Sequence, residues 1–133
     1  MTLLTGLFSG NAVAFKADNG EGIANTSRIA FRHVLSNTGN GFNSSTGIFT
    51  APYSGLHLFE AQLCEKRSYT FSIHKNGYIM IEQDIPASGI TTCYSLTRDT
   101  YLERGDIVYV YVYFGNLSLH RNVANMFSGY LIQ

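Results

Sequence analysis

Residues 107–114 read Ile-Val-Tyr-Val-Tyr-Val-Tyr-Phe, and no other stretch constrains the fold so tightly. A period of two cannot lie along one face of a helix, whereas a strand sends successive side chains to opposite faces. Val108, Val110 and Val112 therefore share one face, and Tyr109, Tyr111 and Tyr113 share the other. The valines belong in a core. The tyrosine face needs its own account, because an antiparallel sheet usually keeps one face wet and polar. Three readings fit: a half-solvated aromatic ladder, a ligand platform, or a subunit interface, of which the last is the sharpest. Full burial of three tyrosine rings would contribute up to roughly 10 kcal/mol gross per chain, and association entropy would remove much of it.

The rest of the chain is punctuated in the same style. Thirteen glycines and two prolines separate short β-branched and aromatic runs, the pattern of an all-β sandwich. Strands are predicted over 12–17, 29–35, 47–50, 56–64, 69–74, 78–83, 91–101, 107–114 and 126–132. No segment holds apolar residues at helical spacing over three turns. With 133 residues the chain makes one domain with a real core, residues 12–133, behind a short tail, residues 1–11. Asn76-Gly77 is a two-residue hairpin signal, since both positions accept positive φ.

Composition removes several functions. Nine basic and nine acidic residues give zero formal charge, unlike the basic stripe of a nucleic-acid binder. No apolar run reaches the ~20 residues that span a bilayer, so no membrane insertion is expected. Only 14% of residues are charged, against nine Tyr and nine Phe, which suits a chain that buries surface on folding and again against partners. There is no Gly-x-Ser-x-Gly elbow, phosphate loop, Cys-x-x-Cys or His-Glu-x-x-His. His33, His57, His74 and His120 sit on separate segments without metal-ligand spacing. A non-enzymatic protein with no catalytic residues and no resident cofactor is expected. Cys64 and Cys93 would suit one disulfide in an oxidising compartment, but strand parity sets Cys64 with Leu56 and Leu58, on the side away from Phe59 and the core. Asn-x-Ser sequons at Asn25, Asn43 and Asn116 are a weak pointer to secretion.

Three motifs stand in a telling order. Thr46 to Phe59 reads Thr-Gly-Ile-Phe-Thr-Ala-Pro-Tyr-Ser-Gly-Leu-His-Leu-Phe, a strand, tight loop and strand. Leu102-Glu103-Arg104-Gly105-Asp106 precedes the tyrosine/valine strand, and Phe127-Ser128-Gly129-Tyr130-Leu131 closes the chain. From Ala14-Phe15 to the C-terminus the chain resembles the complement C1q globular-head domain, a trimeric jelly roll related to tumour necrosis factor. The resemblance implies an all-β, ten-stranded antiparallel jelly-roll sandwich, secretion, and a homotrimer with Leu58 and Tyr130 near its threefold axis. By extension Tyr109, Tyr111 and Tyr113 join that interface. It places the Cys93 strand in the sheet that lacks Cys64, so two free thiols are expected, and it suggests one long bent strand at Asn76-Gly77 instead of a hairpin. Related domains usually carry tyrosine where this chain has His57, and a core-facing histidine there must be hydrogen-bonded or lose basicity. Some related heads bind calcium near the trimer apex, which makes Asp106 a weak metal candidate; the simpler reading is that it caps its turn amides. One departure is that Arg98 and Thr100 share the parity of Leu102, where related domains are aliphatic, so either the register slips or this strand is poorly buried.

In such a jelly roll successive loops alternate between the two ends. The loops around 64–68, 103–106 and 120–125 are expected at the end far from the termini. They would gather Glu65, Lys66, Arg67, Arg104, His120 and Arg121 into one net-basic rim. Threefold repetition turns weak contacts into avidity, and arginine forks suit the carboxylates of acidic sugars or bacterial surface polymers. The resemblance therefore implies a lectin-like pattern-recognition protein of innate immunity that binds carbohydrate or microbial surfaces. The alternative is a cerebellin-like extracellular signalling ligand for a cell-surface receptor. These residues contain no collagen Gly-x-y repeat, so complement activation through a stalk is not implied.

Overall fold

The computed structural model describes residues 12–24, 26–113 and 119–132. The proposed tail at 1–11, the sequons at Asn25 and Asn116, and Phe114 at the end of its predicted strand lie outside these residues. The described residues form ten strands and no helix: β1 (Ala14–Gly22), β2 (Ile29–Thr38), β3 (Phe42–Asn43), β4 (Ile48–Thr50), β5 (Gly55–Glu65), β6 (Tyr69–Lys75), β7 (Tyr78–Ile85), β8 (Thr92–Leu102), β9 (Ile107–Tyr113) and β10 (Met126–Leu131). They make two antiparallel five-stranded sheets, ordered β2-β1-β10-β5-β8 and β3-β4-β9-β6-β7. This is the expected jelly-roll sandwich.

Period-two patterning builds both layers. In β9 the three valines are buried and Tyr109 and Tyr111 are half-buried on the outer side. In β5, His57, Phe59, Ala61 and Leu63 face the core, while Leu56, Leu58, Glu60 and Gln62 face out. Phe15 joins the layers: its ring centroid lies 4.8 Å from Phe42, 5.0 Å from Phe49 and 5.0 Å from Phe127. Each fully buried ring contributes about 1.5–3 kcal/mol. Gly129 is the gap that admits two of these rings, since a Cβ there would lie 2.6 Å from Phe59 and 2.8 Å from Phe15.

The Asn76-Gly77 pair makes a true hairpin joining β6 to β7, with φ of 50° and 85°. Both angles are those a type I′ turn needs. The single bent strand suggested by the resemblance is not formed. This reversal adds a crossing of the sandwich and sends the 103–106 turn to the end opposite the expected one. Turns at 39–41, 51–54, 76–77 and 103–106 gather at the end where the described chain begins and finishes, and Asn76 Nδ2 donates to Asp106 Oδ1 at 3.1 Å. Residues 23–24 and 26–28 and the loops at 66–68, 86–91 and 119–125 lie at the other end, tied by Gly22 N–H to Leu119 O and Ser88 N–H to Lys66 O.

Two further expectations change. The strand of Cys93 is not in the opposite sheet: β8 lies beside β5, Cys64 stands directly opposite Cys93 with Cα atoms 4.0 Å apart, and the two form a disulfide. The expectation of free thiols is overturned. Parity does set Cys64 on the outward side, but a cross-strand pair on one face brings the Cβ atoms within bridging reach. Arg98 and Thr100 pair with Phe59 and His57 without any slip of register. They tolerate the core-facing parity because β8 ends its sheet, so its inner side opens to solvent and Arg98 is exposed.

Candidate functional site

The outward side of the first sheet is divided. Near the terminal end Leu58 stands opposite Tyr130, Leu56 stands opposite Tyr101, and Ile132 N–H donates to Leu56 O at 2.7 Å. These side chains remain uncovered: Leu56 is 38% exposed, Tyr101 54%, Tyr130 48% and Ile132 38%. Farther along the same side the surface turns polar, with Glu60 between Ser128 and Thr97, then Gln62 between Met126 and Ser95, then the disulfide. Leu56 was legible beside Leu58 from parity alone. Tyr101 was not, because its place depends on β8 pairing with β5.

The tyrosines lie on the opposite outer face, on the second sheet. Tyr109 stands across from His74, Tyr111 from Ser72 and Tyr113 from Thr70. The His74 ring stacks on Tyr111 at 4.6 Å and lies 5.3 Å from Tyr109. Ser72 Oγ is 3.0 Å from His74 Nε2 and donates to Tyr111 O. The Arg28 guanidinium lies 5.9 Å over the Tyr109 ring while Arg28 Nε donates to Thr46 O. Burial lowers the His74 pKa, with Glu82 opposing. Two rungs of the ladder thus already have partners within the chain, and Tyr113 is the open one, 56% exposed. Leu58 with Tyr130, and the tyrosine ladder, occupy opposite sides of the sandwich.

At the end far from the termini, Glu65 closes its own loop. Arg67 Nη2 donates to Glu65 Oε1 at 2.7 Å, Arg67 Nε donates to Oε2 at 2.9 Å, and the amides of Lys66 and Arg67 also donate to Oε2. The Arg67 fork, aided by those amides, holds the Glu65 carboxyl down at about 2. Lys66, His120 and Arg121 are exposed at this same end. The loop that carries His120 and Arg121 is fixed by a residue the sequence did not flag. Fully buried Asn125 accepts the Cys64 N–H at 2.8 Å and donates to Gly20 O and His120 O. Its only sequence signal was an Asn ahead of a strand, which many turns share.

Arg104 does not join that rim. Leu102 pairs with Gly55 and Thr92 with Glu65, at opposite ends of an eleven-residue ladder. Ten steps along a strand separate the two ends by about 33 Å. The expected meeting of the 103–106 turn with the far loops is therefore corrected. Arg104 instead lines a cleft of about 480 Å³ with Asn40, Thr50 and Tyr53 at the terminal end. Asp106 caps its own turn: Oδ2 accepts Glu103 N–H at 2.8 Å and Oδ1 accepts Asn76. Those two donors, Asn76 first, lower its pKa. Calcium requires six to eight oxygens, and among the described residues no three His, Cys, Asp or Glu side chains come together. Both Asp106 carboxylate oxygens are thus engaged within the chain, as turn capping requires.

His57 faces the core, as its parity requires. It is 0% exposed, Nδ1–H donates to Gly55 O at 2.9 Å, and Nε2 has no hydrogen-bond partner. Its ring lies against Phe59 and Phe49. Burial depresses its pKa, more than the Gly55 bond raises it.

Comparison with known proteins agrees with this architecture. The family model of the C1q domain matches residues 14–132. The globular domain of zebrafish complement 1qA superposes with a TM-score of 0.74 at 17% identity, covering 92% of this chain and 98% of that one. Murine APRIL at pH 5.0 superposes with a TM-score of 0.69 at 10% identity, over 91% of this chain and 99% of the other. At these identities the two structures speak to the fold.

Proposed function

Because the chain belongs to the C1q domain family, we propose that it is a secreted homotrimeric recognition protein that binds carbohydrate or microbial-surface ligands, lectin-like and without enzymatic activity. C1q-like domains are binding modules, and membership suggests a trimeric recognition or signalling ligand. The observation that carries the reading is the uncovered apolar patch of Leu56, Leu58, Tyr101, Tyr130 and Ile132 on one side of the first sheet. A lone sandwich leaves these side chains in water, and full burial of each is worth about 1.5–3 kcal/mol. Two further copies of the chain are the occupant with the same unmet need. The tyrosine ladder faces away from this patch and is left to the outside of such an assembly. Asp99 stands opposite Leu58 at the margin and sets a polar rim to the patch.

The ligand-facing end is the one that carries exposed Lys66, His120 and Arg121 and the internally paired Glu65 and Arg67. Three copies of that end offer weak cationic contacts to acidic glycans, multiplied by avidity. The disulfide supports an oxidising, extracellular setting.

The test is molar mass by light scattering at micromolar concentration, followed by a glycan array. The expected result is a trimer that Leu58→Asp converts to monomer, with acidic-glycan binding weakened at least tenfold by Lys66→Ala with Arg121→Ala. A well-folded single copy sinks the reading. A trimer indifferent to glycans that binds one receptor with nanomolar affinity replaces it with the signalling role.

A further inference from the structure

The hairpin between β3 and β4 runs through Asn43-Ser44-Ser45-Thr46-Gly47, and Asn43-Ser44-Ser45 has the Asn-x-Ser form of a glycan acceptor with no proline between. Most such triplets arise by chance, so the local geometry has to decide. Asn43 is exposed, and its backbone carbonyl accepts Gly47 N–H at 2.9 Å to close the turn. Its side-chain Oδ1 accepts Ser45 N–H at 2.9 Å and Thr46 N–H at 3.3 Å. These two bonds direct the amide oxygen into the turn, and Nδ2 makes no hydrogen bond among the described residues. Attaching a sugar replaces one hydrogen on Nδ2 and leaves both lone pairs of Oδ1 in place. The turn therefore survives modification with every bond it now has.

The surroundings suit a bulky substituent. β3 is two residues long and ends its sheet, and the Asn37 amide already bonds both backbone groups of Phe42, so a glycan on Asn43 displaces no strand pairing. It sits on the flank made by β2 and β3, away from the apolar patch on β5, β8 and β10.

We propose that Asn43 is an N-glycosylation site whose Nδ2 takes an oligosaccharide from a lipid-linked diphosphate donor. The new bond joins Nδ2 to the anomeric carbon. The bond from that carbon to the diphosphate oxygen breaks, the lipid diphosphate leaves, and the amide gives up one proton. The proposal rests on the secreted part of the functional reading, because the donor and its transferase belong to the secretory route.

The test exports the full chain from cultured eukaryotic cells and removes N-glycans enzymatically in heavy-oxygen water, which marks each former glycan site as a labelled Asp. Trypsin separates the sequons cleanly, since Asn43 falls in the peptide 33–66, Asn25 in 17–28 and Asn116 in 105–121. The expected result is label on Asn43 in the wild type and none in Ser45→Ala, which destroys the triplet but keeps Asn43 and the turn amides. Where Ser45→Ala is not exported, Asn43→Asp keeps the oxygen acceptor and serves instead. An exported protein whose 33–66 peptide carries no label overturns the proposal. Molar mass on the same sample separates the two ideas: a trimer with bare Asn43 defeats this site alone, and a monomer with glycosylated Asn43 defeats the trimer alone.

Discussion

Replacing His57 with phenylalanine tests the most exposed piece of energetic reasoning in the core. His57 is fully buried, its Nε2 has no partner, and burial depresses its pKa below the ordinary 6.5. Above that value the imidazole is neutral in both the folded and unfolded chain, so it contributes nothing to pH dependence. As pH falls below it, the unfolded chain takes up a proton that the folded chain refuses, and stability drops. Linkage limits the slope to about 1.4 kcal/mol per pH unit, so at about pH 5.5 the loss from this one residue is at most about 1.4 kcal/mol. The groups around it do not offset this: Phe49, Phe59 and Leu131 are apolar and Thr100 is neutral. With a urea slope of about 1–3 kcal/mol per molar, the fall in wild-type midpoint between pH 7.5 and 5.5 from this cause has a ceiling of about 0.5–1.4 M. His57→Phe removes that share. Absolute stability at neutral pH is not the readout, because losing an unmet Nε2 and inserting a larger ring offset one another. The assay is urea denaturation by fluorescence at both pH values and one protein concentration. His74, whose pKa is also lowered, is present in both proteins and cancels in the difference. An identical acid shift in wild type and His57→Phe would refute the reasoning.

Glu65→Gln removes the charge that holds the 66–68 loop. It should cost about 1.5–3 kcal/mol at neutral pH. Because Glu65 is held at about 2 against an ordinary 4.5, that contribution is complete above 4.5 and disappears as pH falls toward 2, so the wild-type advantage in thermal midpoint should vanish over that window. Changing both cysteines to alanine opens a loop with a sequence separation of 29. Loop entropy puts the loss at about 3.5 kcal/mol, or about 10 °C in midpoint, measured by calorimetry against the oxidised wild type; an unchanged midpoint would show that the bridge does not constrain the unfolded chain.

The features legible in the sequence were those that a local pattern encodes. Valine and tyrosine alternation gave β9 its two faces, and Asn76-Gly77 gave the hairpin because only two positive φ angles are needed there. What failed were statements about which strands are neighbours. Cys64 and Cys93 meet only because β8 lies beside β5, and nothing within 91–101 announces that pairing. Arg104 fell at the wrong end for a related reason: the real reversal at Asn76-Gly77 adds a crossing of the sandwich before the 103–106 turn. Asn125 escaped notice because its three partners, at Gly20, Cys64 and His120, come from three separate segments. The apolar patch was half visible, through Leu58 and Tyr130, and its remaining members follow from cross-strand pairing.

The neighbouring positions of β7 and β8 have a practical corollary. Each closes its sheet, with eight and eleven residues of strand respectively, so one flank presents two long ladders with vacant rungs. Tyr78 and Ile79 lie on that flank, 79% and 56% exposed. Inward-turned Arg98 and the Lys75 ammonium on Tyr101 O blunt part of this margin, and the rest is open to stray strands. Pairing between copies at such edges grows with concentration, so fibrous precipitate should appear in concentrated stocks before dilute ones, read by thioflavin fluorescence over storage time.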